Sequence, residues 1–535
     1  MSAQDAVDLV ESGDTVVIGG VISMVTPEAT MRALGHRFRR TGFPRDLTVI
    51  CPNRIGWSSE LGPHGLEHFA QKGMVKRLLT STFSAKVSPE IVKLVMDGEI
   101  ETEVVPMGVL YRWLRECTAR SPGLLSEVGI GTFFDPAKQI SAGAAIKQRD
   151  ASTRPFAKRV TIDKTECIFM PSMRIDVALI RGTAADVDGN ISLIGEPISS
   201  GVRQMAMAAK NSGGKVIAVV KTLTDRGTLH PRMVEVPGIL VDVVVVDNQA
   251  IQTQCPYEPA FTGEVRTPTP PLPRMPMGCQ KVILRRAALE LAKGDIVNLG
   301  FGMGTQLPGL ADEEGFLNDI VFSVEHGAIG GVPAPGGFNG AFGAHYNPQA
   351  IIDGIDLFDF YHGGGLNAAV LGFAEVDALG NVNVGGNYSG SIRGPGGFID
   401  ITHRTGKVLI CGTLTSGGLE VQIDGTGETE ADIRVKQEGR HRKFPRQVDH
   451  IDLYGAGSLE RAQRVLIITE RCVFELRKGG ITLIEVARGV DVSKDIKPQL
   501  DFDPRIADEL RPMPPAIFRD GHMQLALKDK LVPEL

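Results

Sequence analysis

The 535-residue sequence has no cysteine-pair signature, no long apolar run, no basic stripe and no spaced set of metal-ligating side chains. Each absence removes a class of function. The seven cysteines, at 51, 117, 167, 255, 279, 411 and 472, are scattered without a C-x-x-C pair. Neither a disulfide framework nor a zinc site is expected. Free thiols fit a reducing compartment. No apolar stretch reaches the ~18 residues of a membrane span. Met1-Ser2-Ala3-Gln4-Asp5 is acidic and leads straight into folded-type sequence, unlike a signal or transit peptide. A cytoplasmic location with no membrane partner is the expectation. Charge tells against nucleic acid as well: 57 basic and 63 acidic residues leave a net −6. A small phosphorylated ligand stays admissible, because a few cations or backbone N–H groups suffice for it.

What is present describes a globular chain of two or three domains. Hydrophobic residues make up 42% and charged residues 22%, enough apolar surface for a sizeable core. The fold class expected is α/β: two related open α/β domains, each a sheet covered by helices. Asp14-Thr15-Val16-Val17-Ile18-Gly19-Gly20 reads as a buried strand ending in glycines. Thr26-Pro27-Glu28 then opens a helix, with Thr as N-cap and Pro at the first helical position. Further apolar strands are expected at Leu47–Cys51, Asp176–Ile180, Lys215–Val220 and Ile239–Val246. A proline-rich stretch, 257–277, suits a linker. A helix from Lys281 to Lys293 and a strand at Asp295–Gly300 open the second half. Arg464–Arg471 and Cys472–Leu476 read as a strand pair around a polar turn, and the tail after Asp501 as a surface wrap.

The halves repeat one another. Gly13-Asp14-x-Val16-x-x-Gly19 matches Gly294-Asp295-x-Val297-x-x-Gly300, an offset of 281. Asp176–Ile180 with Asp186-x-x-Gly189-Asn190 matches Asn367–Leu371 with Asp377-x-x-Gly380-Asn381, an offset of 191. Two signatures in the same order point to a duplicated α/β unit with a larger insertion in the first copy.

The chemistry gathers in the second half. The apolar run Ile320-Val321-Phe322 delivers Glu325 into a segment where four of the next six residues are small. A carboxylate in such an apolar surround is poorly solvated and more nucleophilic, which suits covalent catalysis. Four glycine clusters accompany it: Gly300–Gly304, Gly363–Gly365, Gly385-Gly386-Asn387 and Gly394-Pro395-Gly396-Gly397. The first resembles a dinucleotide fingerprint but lacks its third close-packing glycine, and no ribose-binding acid follows in a second strand. In the last, Pro395 and the following glycines allow successive N–H groups to aim at one point, as a backbone oxyanion hole requires.

Glu325-His326-Gly327-Ala328-Ile329-Gly330 resembles the E-x-G-x-x-G motif of family I coenzyme A transferases, and Gly394–Phe398 resembles their G-x-G-G-F motif. Phe358–Leu366, Gly380–Val384 and Thr469–Arg471 are most similar to the single-chain branch containing propionate CoA-transferase and acyl-CoA:acetate/3-ketoacid CoA-transferases. Gly13–Glu28 and Arg45–Thr48 match the family's first domain. The resemblance implies an α-type domain over 1–256, a linker over 257–280 and a β-type domain over 281–535. It implies a ping-pong reaction between an acyl-CoA and a carboxylic acid, with CoA carried as a thioester on Glu325. The N–H groups of Gly396 and Gly397 would hold the oxyanion. Gly300, Gly302, Gly304, Gly364, Gly365, Asn381, Gly394 and Phe398 would contact CoA. No metal and no tightly bound cofactor is implied, CoA being substrate and transient adduct, and a homodimer or homotetramer is expected. An acyl-CoA hydrolase and a non-catalytic ligand sensor on the same fold are the alternatives. Two stretches depart from the family. Pro106-Met107-Gly108 stands where relatives have Pro-Gln-Gly, and Met cannot donate the hydrogen bond of that Gln. Val21–Val25, with Ile22 and Met24, replaces small residues; either Met107, Ile22 and Met24 make the acyl pocket drier and fit it to a more apolar acid, or the oxyanion hole leans wholly on Gly396 and Gly397.

Overall fold

A computed structural model describes residues 1–57, 62–138, 156–335, 341–384, 394–424 and 432–529. Gly385-Gly386-Asn387 lies outside these residues. The first half is built on seven parallel strands: β1 (Thr15–Ile18), β2 (Leu47–Cys51), β3 (Val75–Thr80), β4 (Glu101–Val104), β5 (Val177–Asp186), β6 (Lys215–Thr224) and β7 (Val243–Val246). Their spatial order is β7-β6-β5-β1-β2-β3-β4. Successive side chains of β1 go to opposite faces, as a pleated strand demands. Val17 joins a core shared with the second half, while Val16 and Ile18 join a core on the outer face. Burial on both faces is why these strands read as unbroken apolar runs.

The second half repeats the plan. Its main strands are β8 (Ile296–Leu299), β9 (Val321–Ser323), β10 (Ala368–Gly372), β11 (Lys407–Cys411), β12 (Arg464–Ile468), β13 (Cys472–Arg477), β14 (Gly480–Val486) and β15 (Arg505–Pro512). The first five are parallel, in the order β9-β8-β10-β11-β12. β13 and β14 continue antiparallel, and β15 lies parallel to β14.

The sequence repeat is a structural one, down to single hydrogen bonds. Val16 pairs with Val177, and its counterpart Val297 pairs with Ala368. Thr15 N–H donates to Asp176 Oδ2 at 2.9 Å, and Ile296 N–H to Asn367 Oδ1 at 2.8 Å. Gly19 N–H donates to Leu179 O, and Gly300 N–H to Val370 O.

Four expectations are corrected. Thr26 does not cap the first long helix, α1 (Glu28–Thr41): its hydroxyl donates to Ile22 O and Met24 O, holding the preceding loop. Ile239 is no strand residue, because Gly238–Leu240 forms a 3-10 turn ahead of β7. The helix opening the second half, Cys279–Ala288, begins and ends earlier than expected. The tail after Asp501 is not only a wrap, since β15 extends the sheet.

Three further helices position the site. α2 (Met107–Ala119) belongs to the first half; α3 (Gly354–His362) and α4 (Phe398–Thr402) belong to the second. Asp400 of α4 accepts from the Gly108 and Val109 N–H groups, both at 3.0 Å, and so caps α2 across the two halves. Arg112 of α2 pairs with Asp359 of α3 at 3.0 Å.

Candidate active site

A cavity of about 840 Å³ opens where the carboxyl ends of the parallel strands of both sheets meet. Val21 and Ile22 follow β1, Asn53 and Arg54 follow β2, and Thr82 and Phe83 follow β3. Gly300 follows β8, Glu325 follows β9, Gly372 ends β10 and Gly412 follows β11. This is where open α/β sheets place ligands, because strand ends release loops there.

Glu325 sits two residues past the end of β9 and is only 7% exposed. Burial pushes its carboxyl up to about 7, and the charge of Asp400 adds to the rise. Asn298, in the middle of β8, opposes it: its Nδ2 donates to Glu325 Oε2 at 3.4 Å and to Ser323 O at 3.0 Å. The Tyr361 hydroxyl lies 2.7 Å from Ser323 Oγ and within 3.5 Å of Asn298 Nδ2. The floor beneath the carboxylate is thus a fixed polar network. The turn after Glu325 is forced by contacts. Gly327 has φ 117°, and a Cβ there would overlap Ile352 O. His326 takes φ 135°, which is rare for a residue with a Cβ. Its ring is buried, and burial together with the field of Arg54 lowers its pKa to about 3. A neutral His326 gives Glu325 no counterion.

The Gly394–Phe398 turn closes the other side. Gly394 fits because a Cβ would overlap Ser81 O. Gly396 N–H donates to Ser81 O at 3.1 Å, so it is not available as the expected oxyanion donor. Gly397 N–H takes no acceptor among the described residues. Met107 N–H donates to Gly396 O at 3.0 Å, and the Met107 side chain lies against the Gly396 backbone. The departure from Gln therefore places a thioether, not an amide, on the cavity wall. The Val21–Val25 loop is folded tightly by reciprocal bonds between Val21 and Met24, and both Ile22 (φ 59°) and Val25 (φ 54°) are left-handed. Such geometry in β-branched residues is strained and is tolerated where a site needs a shape.

The structure brings Glu325, Gly300, Gly302, Gly394, Gly396, Gly397, Phe398, Met107 and Ile22 to one cavity. Met24 is buried behind its wall. Gly304, Gly364, Gly365 and Asn381 do not line it. Gly304 gives room for Val370 O, and Gly365 for the Phe360 ring. Asn381 holds a turn: its Nδ2 donates to Asp377 Oδ2, and its Oδ1 accepts from Gly455 N–H. Asn190 makes the same bonds to Asp186 and Gly238 in the first half. Asn381→Ala is therefore expected to destabilise the fold by roughly 1–2 kcal/mol in urea unfolding. The KM for CoA of the folded fraction should stay put; a large rise would return Asn381 to the ligand.

Sequence reasoning missed Asn298, Tyr361, Asn53, Arg54 and Asp400. The one local signal was Asn298, a polar residue inside an apolar strand. Asn53 is buried, donates to the Tyr111 hydroxyl, and leaves its Oδ1 without a partner on the cavity wall.

Comparison with known proteins agrees with this geometry. A coenzyme A transferase family model matches residues 1–247. The chain is 37% identical to caffeate CoA-transferase of Acetobacterium woodii over 97% of each chain. It is 37% identical to acetate CoA-transferase YdiF of Escherichia coli K12, over 99% of this chain and 97% of that one. The crystal structure of the E. coli O157:H7 acyl-CoA transferase YdiF, a thioester complex with CoA, superposes with a TM-score of 0.89 at 36% identity. That match covers 99% of this chain and 98% of the other.

Proposed function

Because this chain belongs to the coenzyme A transferase family, whose reaction moves CoA from an acyl-CoA to a carboxylic acid, we propose that Glu325 is the group that carries the CoA. The observation behind this assignment is a single buried carboxylate, raised to about 7, at a strand end on the wall of the 840 Å³ cavity. Near neutral pH a substantial fraction is ionised, yet it is poorly solvated, which favours attack on carbon.

The Glu325 carboxylate adds to the thioester carbonyl, and CoA thiolate leaves to give a mixed anhydride. The thiolate then adds to the glutamyl carbonyl, and the first carboxylate departs. This leaves a glutamyl-CoA thioester; the YdiF structure is a thioester complex with CoA. A second carboxylate reverses the sequence and departs as the new acyl-CoA. Every addition makes a tetrahedral oxyanion. Gly397 N–H is the backbone donor left for it, and Asn298 Nδ2 holds the carboxylate in line. Met107 adds no donor and keeps the wall apolar, which strengthens both contacts by excluding water. Binding of the remote CoA portion supplies energy that is realised at the thioester.

Intact-mass analysis after incubation with acyl-CoA alone tests the assignment. An adduct of CoA mass is expected, removed by hydroxylamine or borohydride and absent from Glu325→Ala. An adduct that survives in the variant would place the nucleophile elsewhere.

A further inference from the structure

Arg54 has no part in the chemistry above, yet it shares the cavity with Glu325 and His326. Its guanidinium carbon lies 5.7 Å from the centroid of the Phe301 ring, and its field reaches His326. Its backbone is fixed, because Arg54 O accepts from Ile22 N–H at 2.7 Å. Among the described residues no carboxylate pairs with it, and its Nε is buried without a hydrogen-bond partner. Among the described residues, the four buried arginines behave otherwise. Arg181, Arg285, Arg286 and Arg471 are each paired with a glutamate. A half-buried guanidinium without a counterion is unfavourable, and an arriving anion relieves that cost.

Two anions of the established reaction fit this position poorly. The phosphates of CoA sit at the far end of its pantetheine arm, whereas Arg54 acts on the residue next to the nucleophile. The reacting carboxylate is consumed at Glu325, beside Asn298. The cavity that Arg54 and Glu325 share includes the apolar side chains of Val21, Ile22, Met107, Phe301 and Phe342. It suits a hydrocarbon segment with its reacting end at Glu325 and a charged end at Arg54.

We propose that Arg54 selects acyl groups bearing a second carboxylate at their distal end, so that dicarboxylic acids and their mono-CoA thioesters are preferred substrates. The guanidinium fork accepts a carboxylate with two parallel hydrogen bonds, which a lysine does not reproduce. This inference rests on CoA transfer through Glu325 in the same cavity.

The test compares acceptors of equal chain length, butyrate against succinate and valerate against glutarate, with one acyl-CoA donor. The wild type, Arg54→Lys and Arg54→Met are each assayed. The wild type should favour the dicarboxylate. The dicarboxylate-to-monocarboxylate ratio of kcat/KM should fall roughly 10–100-fold in Arg54→Met, and less in Arg54→Lys. A ratio unchanged by either variant overturns the proposal, and so does a wild type indifferent to the second carboxylate. A uniform loss with every acceptor, accompanied by a raised KM for CoA, would assign Arg54 to CoA and overturn it too. Formation of the CoA adduct in Arg54→Met shows that the variant is folded. If the wild type forms no adduct on Glu325, the transfer reading itself fails; an adduct without dicarboxylate preference sinks only the Arg54 assignment.

Discussion

Replacing Glu325 by Gln is expected to end CoA transfer and, at alkaline pH, to stabilise the protein. Loss of a covalent catalyst should lower kcat by ~10⁴-fold or more. For the wild type, only the ionised carboxylate attacks, so kcat/KM should fall tenfold per pH unit below about 7. The stability effect has the opposite sign to that of an ordinary paired carboxylate. Below about pH 4.5 the group is neutral in both states and costs nothing. Between about 4.5 and about 7 the unfolded chain releases the proton while the folded chain retains it, so stability falls as pH rises. Above 7 the full penalty is present, about 3 kcal/mol. Glu325→Gln should therefore unfold at higher urea than the wild type at pH 8, and at the same urea near pH 4. Equal midpoints at pH 8 would show that the carboxylate is not held against its own solvation.

The second large effect falls on Asp400. It is fully buried and accepts three hydrogen bonds: from Gly108 N–H, Val109 N–H and His362 Nε2 at 2.9 Å. Arg112 can only donate, so His362 Nδ1 accepts from it at 3.2 Å and turns its Nε2–H to Asp400. Asp400→Ala strands three buried donors and removes the anion from the positive end of a 13-residue helix. A loss of about 3–5 kcal/mol is expected in urea unfolding. Asp400→Asn keeps a carbonyl oxygen for the helix but removes the charge. Since that charge raises the Glu325 pKa, the acid limb of the kcat/KM profile should move to lower pH in Asp400→Asn. A limb that stays in place, or moves up, would separate Asp400 from Glu325.

The duplicated sheets, and the gathering of Glu325 and the Gly394–Phe398 turn at one cavity, were legible because each leaves a local trace. A carboxylate between an apolar strand and small residues is one; glycines forced by close backbone approach at 327 and 394 are another. The supporting polar groups leave no such trace. Asp400 reaches Gly108 across 292 positions, and Asn298 reaches Glu325 across 27. Pairing over these distances is set by the topology, and no spacing in the chain records it. The misread positions teach the complementary lesson. Gly304, Gly365 and Asn381 look like ligand-contacting residues, but each makes room for, or hydrogen-bonds to, a neighbour within the protein. Composition alone does not tell a glycine that admits a ligand from one that admits a carbonyl. Gly396 shows the same limit for hydrogen bonds: its motif was legible, but the commitment of its N–H to Ser81 was not.

The shared strand register also shows what stands in the first half at the point matching Glu325. Asn298 pairs with Ser323 two residues before Glu325; at the same point of the first half Val17 pairs with Ile50, two residues before Pro52. Residues 52–54 thus occupy the place that 325–327 occupy in the other copy. One half has Glu325 at this point; the other has Pro52, followed by Asn53 and Arg54. On the roles proposed above for Arg54 and Glu325, labour is divided between positions that the register makes equivalent. Substitutions at 52–54 should then redirect which acid is chosen while the groups around Glu325 in the sister half stay untouched, so new selectivities would be open to this scaffold without reinvention of its chemistry.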